Sequence, residues 1–320
     1  MDNTTNNDND KSLYSEPVID FVELSSILWK KKISIILLTS IFAISSIFYS
    51  LSLPNIYKST AVLAPTSNTD GNLSSIANQY SNIASIAGIQ LPSSAEADKV
   101  SMGLEIMKSF SFFETFVNKY DLLFKLQALK GWDQNNNKLI VDPKVFEESK
   151  NKWVSRHEFS INGVPTMQKA HRDFLKTFTL QVDNKTGFVT MTISHYSPFV
   201  AKELLDLLIL EINEISKTED IKIAEDSIKF LNEAATNTQL NDIRQGVNNV
   251  IIKQIETITF ANSSPQYLLK NLSPPIAPEV KSSPRRSIIV IMITVFGAVI
   301  SCLYVIFSHY NPLFWRKKRQ

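Results

Sequence analysis

Cysteine and glycine are scarce in this sequence, and each shortage excludes a class of protein. The only cysteine among the 320 residues, Cys302, lies inside a long apolar run. The region between the two apolar runs therefore has no disulfide, and its own core must hold it together. Only 8 residues are glycine, which argues against a glycine-rich fold that cradles a nucleotide.

Catalytic and cofactor-binding motifs are also missing. No glycine is followed by lysine, and neither G-x-G-x-x-G nor G-x-S-x-G occurs. The 4 histidines do not lie at H-x-x-x-H spacing, and a single cysteine cannot supply a paired zinc site. His195 stands at a predicted strand-to-helix corner, where we expect a structural role, with a catalytic role as the alternative. We therefore expect no enzyme activity, no cofactor and no metal site.

The charge distribution gives no sign of a nucleic-acid partner. Lysine and arginine number 33 against 31 acidic residues, which leaves a net charge of +2. No basic block lies in the middle of the chain, where a nucleic-acid-binding surface would need one. The distribution of apolar residues is therefore more informative than the net charge.

Two long runs without any charge stand out, at residues 33–53 and 288–307. An α-helix of about 20 residues crosses the ~30 Å hydrocarbon layer of a membrane. We predict that both runs are transmembrane helices, since a buried core helix, the alternative, would usually carry a polar face. The first run is longer than the apolar core of a signal peptide, about 7–15 residues. It also follows 32 residues, so we expect it to be retained as an anchor.

The flanks of these runs predict the orientation. Residues 29–32 read WKKK and residues 315–319 read WRKKR, so each cluster combines an interfacial indole with cations that resist translocation. Both termini should therefore be cytoplasmic, and the region between the helices should be periplasmic. Arg285, Arg286 and Lys281 oppose this orientation, but the terminal clusters outnumber them.

These patterns divide the chain into five parts. The intermembrane region ends in a proline-rich segment at 274–287, where fixed φ angles favour an extended strut, with a plain linker as the alternative. The lead-in to the first helix has apolar residues at helical spacing and should lie at the membrane surface. The parts are a tail with its interfacial lead-in (1–32), a first transmembrane helix (33–53), a periplasmic domain (54–287), a second transmembrane helix (288–307) and a second cytoplasmic tail (308–320).

Within the domain, alternating residues predict strands. Residues 56–63 read as a strand that leaves the membrane, and residues 266–272 as a final strand beside it. Residues 177–182 and 188–193 alternate on either side of a turn and predict a β-hairpin. Helical spacing appears at 73–87 and 104–129, and residues 131–137 read as a loop.

A long helical pattern begins at Pro198, with Ser197 as a suitable N-cap. If it is continuous to about residue 260, it forms a rod of roughly 90 Å whose apolar stripe would seek partner helices. The alternative is two or three shorter helices that fold back, with a break near Gly246. The predicted fold is therefore an α+β domain with a small membrane-proximal sheet and a long protruding helix, flanked by two transmembrane helices.

Four features in order resemble the Wzz-type chain-length determinants, the class 1 polysaccharide co-polymerases of bacterial inner membranes. They are DFVEL at 20–24 followed by YKSTA at 57–61, LEIMKS at 104–109 followed by Phe112 and Phe113, the segment 189–213 with HYSP at 195–198, and the pattern P-x-x-P-x4-S-P at 275–284. The resemblance spans nearly the whole chain.

The resemblance implies a function and a set of site residues. Members of the family set the modal length of a surface glycan, and the resemblance implies that this glycan is the O-antigen of lipopolysaccharide. The resemblance also implies a homo-oligomeric ring that acts with the membrane polymerase and the growing lipid-linked glycan. The implied site is the membrane-proximal proline-rich motif, and Gly297 with Ser301 forms a small-x-x-x-small pair for helix packing. The motif residues are Pro275, Pro278, Ser283, Pro284, Arg285 and Arg286.

Two other functions are carried as alternatives. Related co-polymerases activate a cytoplasmic tyrosine kinase, so the chain could be an adaptor in capsule or exopolysaccharide synthesis. Only residues 308–320 follow the second apolar run, so we do not expect a fused kinase. A capsule-export component of similar topology is the other alternative.

Overall fold

The computed structural model describes residues 21–66, 95–154, 159–236 and 241–310. The chain divides into two compact units. One consists of Met1–Leu53 with Pro284–Gln320, and the other of Pro54–Ser283. The predicted helix at 73–87 lies outside the described residues.

The elements alternate between helices and short strands. The helices are α1 (Phe21–Lys30), α2 (Lys32–Ser52), α3 (Ala95–Lys108), α4 (Phe110–Lys119), α5 (Leu123–Gln127), α6 (Met167–Thr177), α7 (Pro198–Thr236), α8 (Asn241–Ser263) and α9 (Arg286–Tyr310), with a 3-10 turn at Glu148–Lys150. The strands are β1 (Tyr57–Pro65), β2 (Leu129–Asp133), β3 (Lys138–Val141), β4 (Phe146–Glu147), β5 (Lys152–Trp153), β6 (Ser160–Ile161), β7 (Val164–Pro165), β8 (Phe178–Val182), β9 (Val189–His195) and β10 (Leu269–Ser273).

The first unit is helical. The two apolar runs form α2 and α9, which pack against each other, and α1 contacts both. Both long helices are apolar enough, over enough residues, to cross a membrane. The prediction of two long apolar helices is therefore confirmed.

The second unit is built on a four-stranded antiparallel sheet with the order β10-β1-β9-β8. The predicted hairpin is β8 and β9, with Val182 opposite Val189. Its turn is held by the Asp183 carboxylate, which accepts the backbone N–H of Lys185, and by Gly187 at φ +70°. The predicted first and last strands are also present, and β1 pairs with β10 as expected.

One face of the sheet is covered by helices, and every second side chain of β1 from Tyr57 to Leu63 is buried there, all of them apolar or aromatic except Ser59. The first half of α7, together with α3, α4 and α6, contributes the other side of this core. Phe113 and Phe116 are fully buried, and each such side chain contributes roughly 1.5–3 kcal/mol. The largest fully buried members are Leu63, Met107, Phe113, Phe116, Leu122, Met191, Ile193, Leu204, Leu205, Leu208, Ile212 and Leu269.

The continuous rod is wrong, and the alternative of shorter helices that fold back is confirmed, although the break comes before Gly246. The long helix α7 ends at Thr236 after 39 residues, roughly 58 Å, and α8 begins at Asn241 and packs against it. Residues that follow α8 return to the middle of α7, where the Asn213 side chain binds the backbone of Leu269. α7 ends at Thr236, the first residue of a polar stretch, whereas Gly246 lies inside α8, where a Cβ placed on it would meet no atom within 4 Å.

Two other local predictions need correction. The helical region predicted at 104–129 is three helices, because Ser109 caps α4 by accepting the Phe112 N–H and Asp121 adopts φ +48° after it. The predicted loop at 131–137 contains the end of β2 and a turn into β3, completed by Asn137 at φ +47°. Short polar strands of this kind lack the apolar alternation that makes a strand visible in sequence.

Candidate functional site: the proline-rich segment and a close helix contact

The proline-rich segment lies along the first half of β1. β10 pairs only with Val62–Pro65, so the start of β1 needs another partner on that side of the chain. Proline has no N–H to donate to a ladder. The buried Ser59 hydroxyl instead donates to the Ile276 carbonyl at 2.8 Å, between Pro275, which is buried, and the half-buried Pro278.

The end of the segment forms an antiparallel bridge. The Ile56 N–H donates to the Ser283 carbonyl at 2.9 Å, and the Ser282 N–H donates to the Ile56 carbonyl at 2.9 Å. Lys281 Nζ also donates to the Asn55 side-chain oxygen at 3.3 Å. We call these contacts, together with the Ser59–Ile276 bond, the terminal clamp, since they join the two ends of the Pro54–Ser283 unit. Residues 276–283 are thus held to the start of the domain by hydrogen bonds.

The remaining residues of the motif belong to the helical unit. Pro284 is half-buried and Arg285 is exposed just before α9. The Arg286 guanidinium donates to the Leu53 carbonyl at 3.3 Å, directly after the end of α2. The last carbonyls of a helix lack partners within it and favour a nearby cation. Arg286 therefore acts as a C-terminal cap of α2.

Gly297 and Ser301 lie where α2 and α9 approach each other. A Cβ placed on Gly297 would stand 2.5 Å from the Phe42 Cβ, so only glycine permits this contact. Ser301 is fully buried, donates to the Gly297 carbonyl at 2.6 Å and accepts a hydrogen bond from the Thr39 hydroxyl at 3.4 Å. The structure thus brings together the small residues that sequence reasoning paired, and adds Phe42 and Thr39 as their partners.

His195 makes two hydrogen bonds that define its protonation. The Ser197 N–H donates to its Nδ1 at 3.0 Å, so Nδ1 carries no proton, and Nε2 donates to the Lys125 carbonyl at 3.0 Å. Burial lowers the pKa of His195 and outweighs the two backbone contacts. A neutral ring with both nitrogens engaged has no free group for proton transfer, so the structural interpretation of this corner is favoured.

Sequence reasoning missed two polar clusters on α7, one of them centred on a buried carboxylate. Glu211 is almost fully buried and accepts hydrogen bonds from Lys119 at 2.7 Å and from the Tyr120 hydroxyl at 2.8 Å. The bond to Glu211 raises the pKa of Lys119, while burial and then Glu211 raise the pKa of Tyr120. A lone carboxylate within the apolar run LLILEI was the available signal.

The second cluster joins α3, α7 and the segment before β10. Asp220 contacts both Lys99 and the Tyr267 hydroxyl, and Lys99 donates to that hydroxyl at 3.2 Å. Burial lowers the pKa of Lys99, but its bonds to Asp220 and Tyr267 outweigh burial and raise it. These residues are distant in sequence, so no pattern predicts their meeting. Each cluster joins α7 to another helix, through Lys119 of α4 in the first and Lys99 of α3 in the second, so we assign both a structural role.

Comparisons with known proteins identify one matching family. Residues 17–120 match the family model described as "Wzz: Chain length determinant protein". No curated protein matches the chain. The match confirms, over those residues, the resemblance found in the sequence.

Two solved structures show some likeness to the chain. One is described as "full-length bacterial polysaccharide co-polymerase", with 13% identity, 92% of this chain and 99% of that chain covered, and a TM-score of 0.37. The other is "Fragment of WzzB, Polysaccharide Co-polymerase from Salmonella Typhimurium", with 10% identity, 72% and 100% covered, and a TM-score of 0.32. Both TM-scores are too low to establish a shared fold.

Proposed function

We propose, on the premise that residues 17–120 form a chain-length determinant domain of the Wzz family, that the protein regulates the chain length of a surface polysaccharide. The family match carries this proposal. It covers α1, α2, β1, α3 and α4, which include the first apolar helix and part of the domain core. The glycan that we propose is the O-antigen of lipopolysaccharide, and the proposed role is that of a non-catalytic scaffold for its polymerase and for the growing lipid-linked chain.

We propose that the protein is anchored in the bacterial inner membrane by α2 and α9. Apolar side chains on both helices are exposed, among them Leu37, Phe48 and Phe296, which favours a hydrocarbon environment for these surfaces. Basic residues before α2 and in the 308–320 tail favour cytoplasmic termini and a periplasmic domain. Arg286, whose charge opposes this orientation, is already engaged in capping α2.

Self-association is the second part of the proposal. Several large apolar side chains of α7 and α8 are exposed in the single chain, which is unfavourable in water. Phe230 is 70% exposed, and Ile252 and Ile255 line a shallow groove of about 410 Å³. Neighbouring copies in a ring would cover these side chains, which we call the apolar helix face and define by Ile223, Phe230, Ile252 and Ile255.

The decisive experiment removes the gene and restores it on a plasmid, with lipopolysaccharide resolved on a gel. We expect loss of the modal band and a distribution that decays smoothly with length, and recovery of the band on complementation. An unchanged ladder would contradict the O-antigen role. Capsule and exopolysaccharide should be sized in the same strains, so that a shift confined to those glycans is recognised.

A further inference from the structure

A pocket beside β4 and β5 combines aromatic rings with carboxylates. Its volume is about 530 Å³, within the usual range for a small-molecule site. We call it the aromatic pocket, and it is lined by Phe124, Phe146, Trp153, Leu123, Asp121, Glu148, Asn151 and Lys125. No residue of the proline-rich motif or of the α2–α9 contact belongs to it.

The aromatic members form a continuous apolar wall. Phe146 is buried and contacts Phe124 edge-to-face at 5.0 Å between ring centroids, and Trp153 in the same way at 5.2 Å. Phe124 and Trp153 are half-buried, so each keeps part of its ring surface toward the pocket. Because Phe146 fixes both neighbours, the wall is preorganised for a ligand with an apolar face.

Asp121, Glu148 and Asn151 are exposed, and Asp121 is placed unfavourably for local structure. Asp121 has φ +48° and lies just after the end of α4, where a negative charge opposes the helix dipole. Asn151 also has a positive φ, at +47°. Within the described part of the chain, neither the Asp121 carboxylate nor the Glu148 carboxylate forms an ion pair or a hydrogen bond. These carboxylates are therefore available to a ligand.

A second pocket differs from the aromatic pocket, because its polar groups are already paired with one another. It encloses about 470 Å³ and is lined by Lys169, Asp173, Lys176 and His195, among others. Its polar groups already bind one another: Lys169 and Lys176 both donate to Asp173 at 2.8 Å, and His195 is satisfied by backbone. Burial opposes ionisation of Asp173, but these lysines outweigh it and lower its pKa. Engaged groups of this kind indicate a structural role.

An apolar wall beside free carboxylates matches the chemistry of an uncharged sugar ring. A pyranose presents C–H groups on its face, which pack on aromatic rings, and hydroxyl donors on its rim, which carboxylates and amides accept. The Lys125 ammonium, which also lines the pocket, is already paired with Glu203 at 2.6 Å. Acidic sugars would therefore meet the carboxylates of Asp121 and Glu148 with like charge. We infer that the aromatic pocket binds neutral pyranose units of the glycan whose length the protein regulates. This inference rests on the proposed function for the identity of the glycan, but the pocket's chemistry stands independently of it.

The test measures saccharide binding to the full-length protein in lipid nanodiscs by ligand-observed NMR titration. The probes are a neutral hexasaccharide of N-acetylglucosamine and a hyaluronan hexasaccharide, which has the same length but carries carboxylates. We expect the neutral probe to bind the wild type more tightly. Trp153→Ala should weaken that binding about tenfold, equivalent to about 1.4 kcal/mol, and Trp153→Phe should retain most of it.

Two controls separate the pocket from general effects. Trp132→Ala removes another half-buried indole, which packs on Tyr57 and Phe199 outside the pocket, and should bind like the wild type. The double variant Asp121→Asn with Glu148→Gln should show a smaller difference in affinity between the neutral and the acidic probe. Absence of neutral-probe binding, equal binding by Trp153→Ala, or equal binding of the acidic probe would each overturn the inference.

The result of the saccharide titration can be interpreted independently of the gene-deletion experiment. A gene deletion that shifts glycan length, with normal saccharide binding by Trp153→Ala, would reject the pocket and keep the function. A deletion without effect on any surface glycan, with binding lost in Trp153→Ala, would reject the function and keep a saccharide site.

Discussion

Gly297 faces Phe42 so closely that a Cβ on Gly297 would stand 2.5 Å from the Phe42 Cβ and 2.6 Å from its Cγ. Carbon atoms in favourable contact are about 3.5–4.0 Å apart. The obstacle is the root of the Phe42 side chain, which cannot rotate away. The contact between α2 and α9 therefore depends on the absence of a side chain at Gly297.

Gly297→Ala should loosen this helix pair. We expect a loss of about 1–3 kcal/mol, because overpacking of a close contact forces the backbones apart. The measurement is thermal unfolding of the full-length protein in one detergent. Gly246→Ala is the matched control, since Gly246 also lies in a helix and a Cβ placed on it would meet no atom within 4 Å. It should be neutral or stabilising by up to about 1 kcal/mol, and an equal effect of both changes would contradict the close contact.

The proline-rich motif should influence the glycan product. Replacing Pro278, Ser283 and Pro284 together with alanine should shift or abolish the modal length at normal protein levels, because the two positions that lose proline would no longer have a fixed φ and the extended segment would loosen. The readouts are the lipopolysaccharide gel and an immunoblot. Pro143→Ala, an exposed turn proline, is the control and should leave the modal band in place. An unchanged distribution in the triple variant would count against the motif.

His195 should make stability depend on pH. Its pKa is lowered in the folded protein, whereas the unfolded chain keeps the ordinary value of 6.5. As the pH falls through about 6.5, the unfolded state therefore takes up a proton first, and the free energy of unfolding decreases until the lowered pKa is reached. The full contribution is present above that range. Unfolding measured from pH 8 to pH 5 should show a smaller decrease for His195→Gln, and an identical pH profile would disprove this assignment.

The Glu211 cluster should show the asymmetry of a buried charge. Lys119→Met leaves the carboxylate buried with only Tyr120 as donor, and we expect a loss of roughly 1–3 kcal/mol. Adding Glu211→Leu should recover part of that loss, because no unpaired charge then remains. Lys202→Met breaks a half-exposed pair with Asp206 and should cost less than about 1 kcal/mol. Additive effects of the Lys119 and Glu211 changes in chemical denaturation would contradict their coupling.

The apolar helix face should mediate self-association. Phe230→Asp places a charge on the exposed apolar surface, and we expect smaller assemblies by light scattering in detergent. Asn232→Asp introduces the same charge at a neighbouring exposed polar position and should leave the mass unchanged. A wild-type mass for Phe230→Asp would exclude this face from the interface.

Strong periodic signals predicted the main elements. The β8–β9 hairpin, the pairing of β1 with β10, the start of α7 at Pro198 and both apolar helices follow from alternation, capping and uncharged length. The boundary between α7 and α8 was misplaced because apolar spacing resumes after the polar residues near Thr236. Periodicity is the same in one helix and in two, and only tertiary packing separates them.

The sequence predicted which residues belong to the candidate site, but not which residues they contact. Proline and small-residue patterns singled out Pro275, Pro278, Gly297 and Ser301. Their partners, Ser59 and Phe42, are separated from them by more than 200 residues and carry no local signal. The aromatic pocket was missed for the same reason, since its rings come from α5, β4 and β5 and meet only in three dimensions.

The terminal clamp makes the domain a module with adjacent ends. Ile56 and Ser283 are hydrogen-bonded although more than 220 residues separate them. Contacts within the domain itself therefore offset the entropy cost of closing that loop. Its fold does not depend on a membrane to hold its ends together. A short flexible linker between the ends would join them without strain, and new termini could be opened in a surface turn such as Asp183–Gly187. Such a circularly permuted domain, without α2 and α9, would allow the proposed saccharide binding to be measured apart from the proposed membrane anchors.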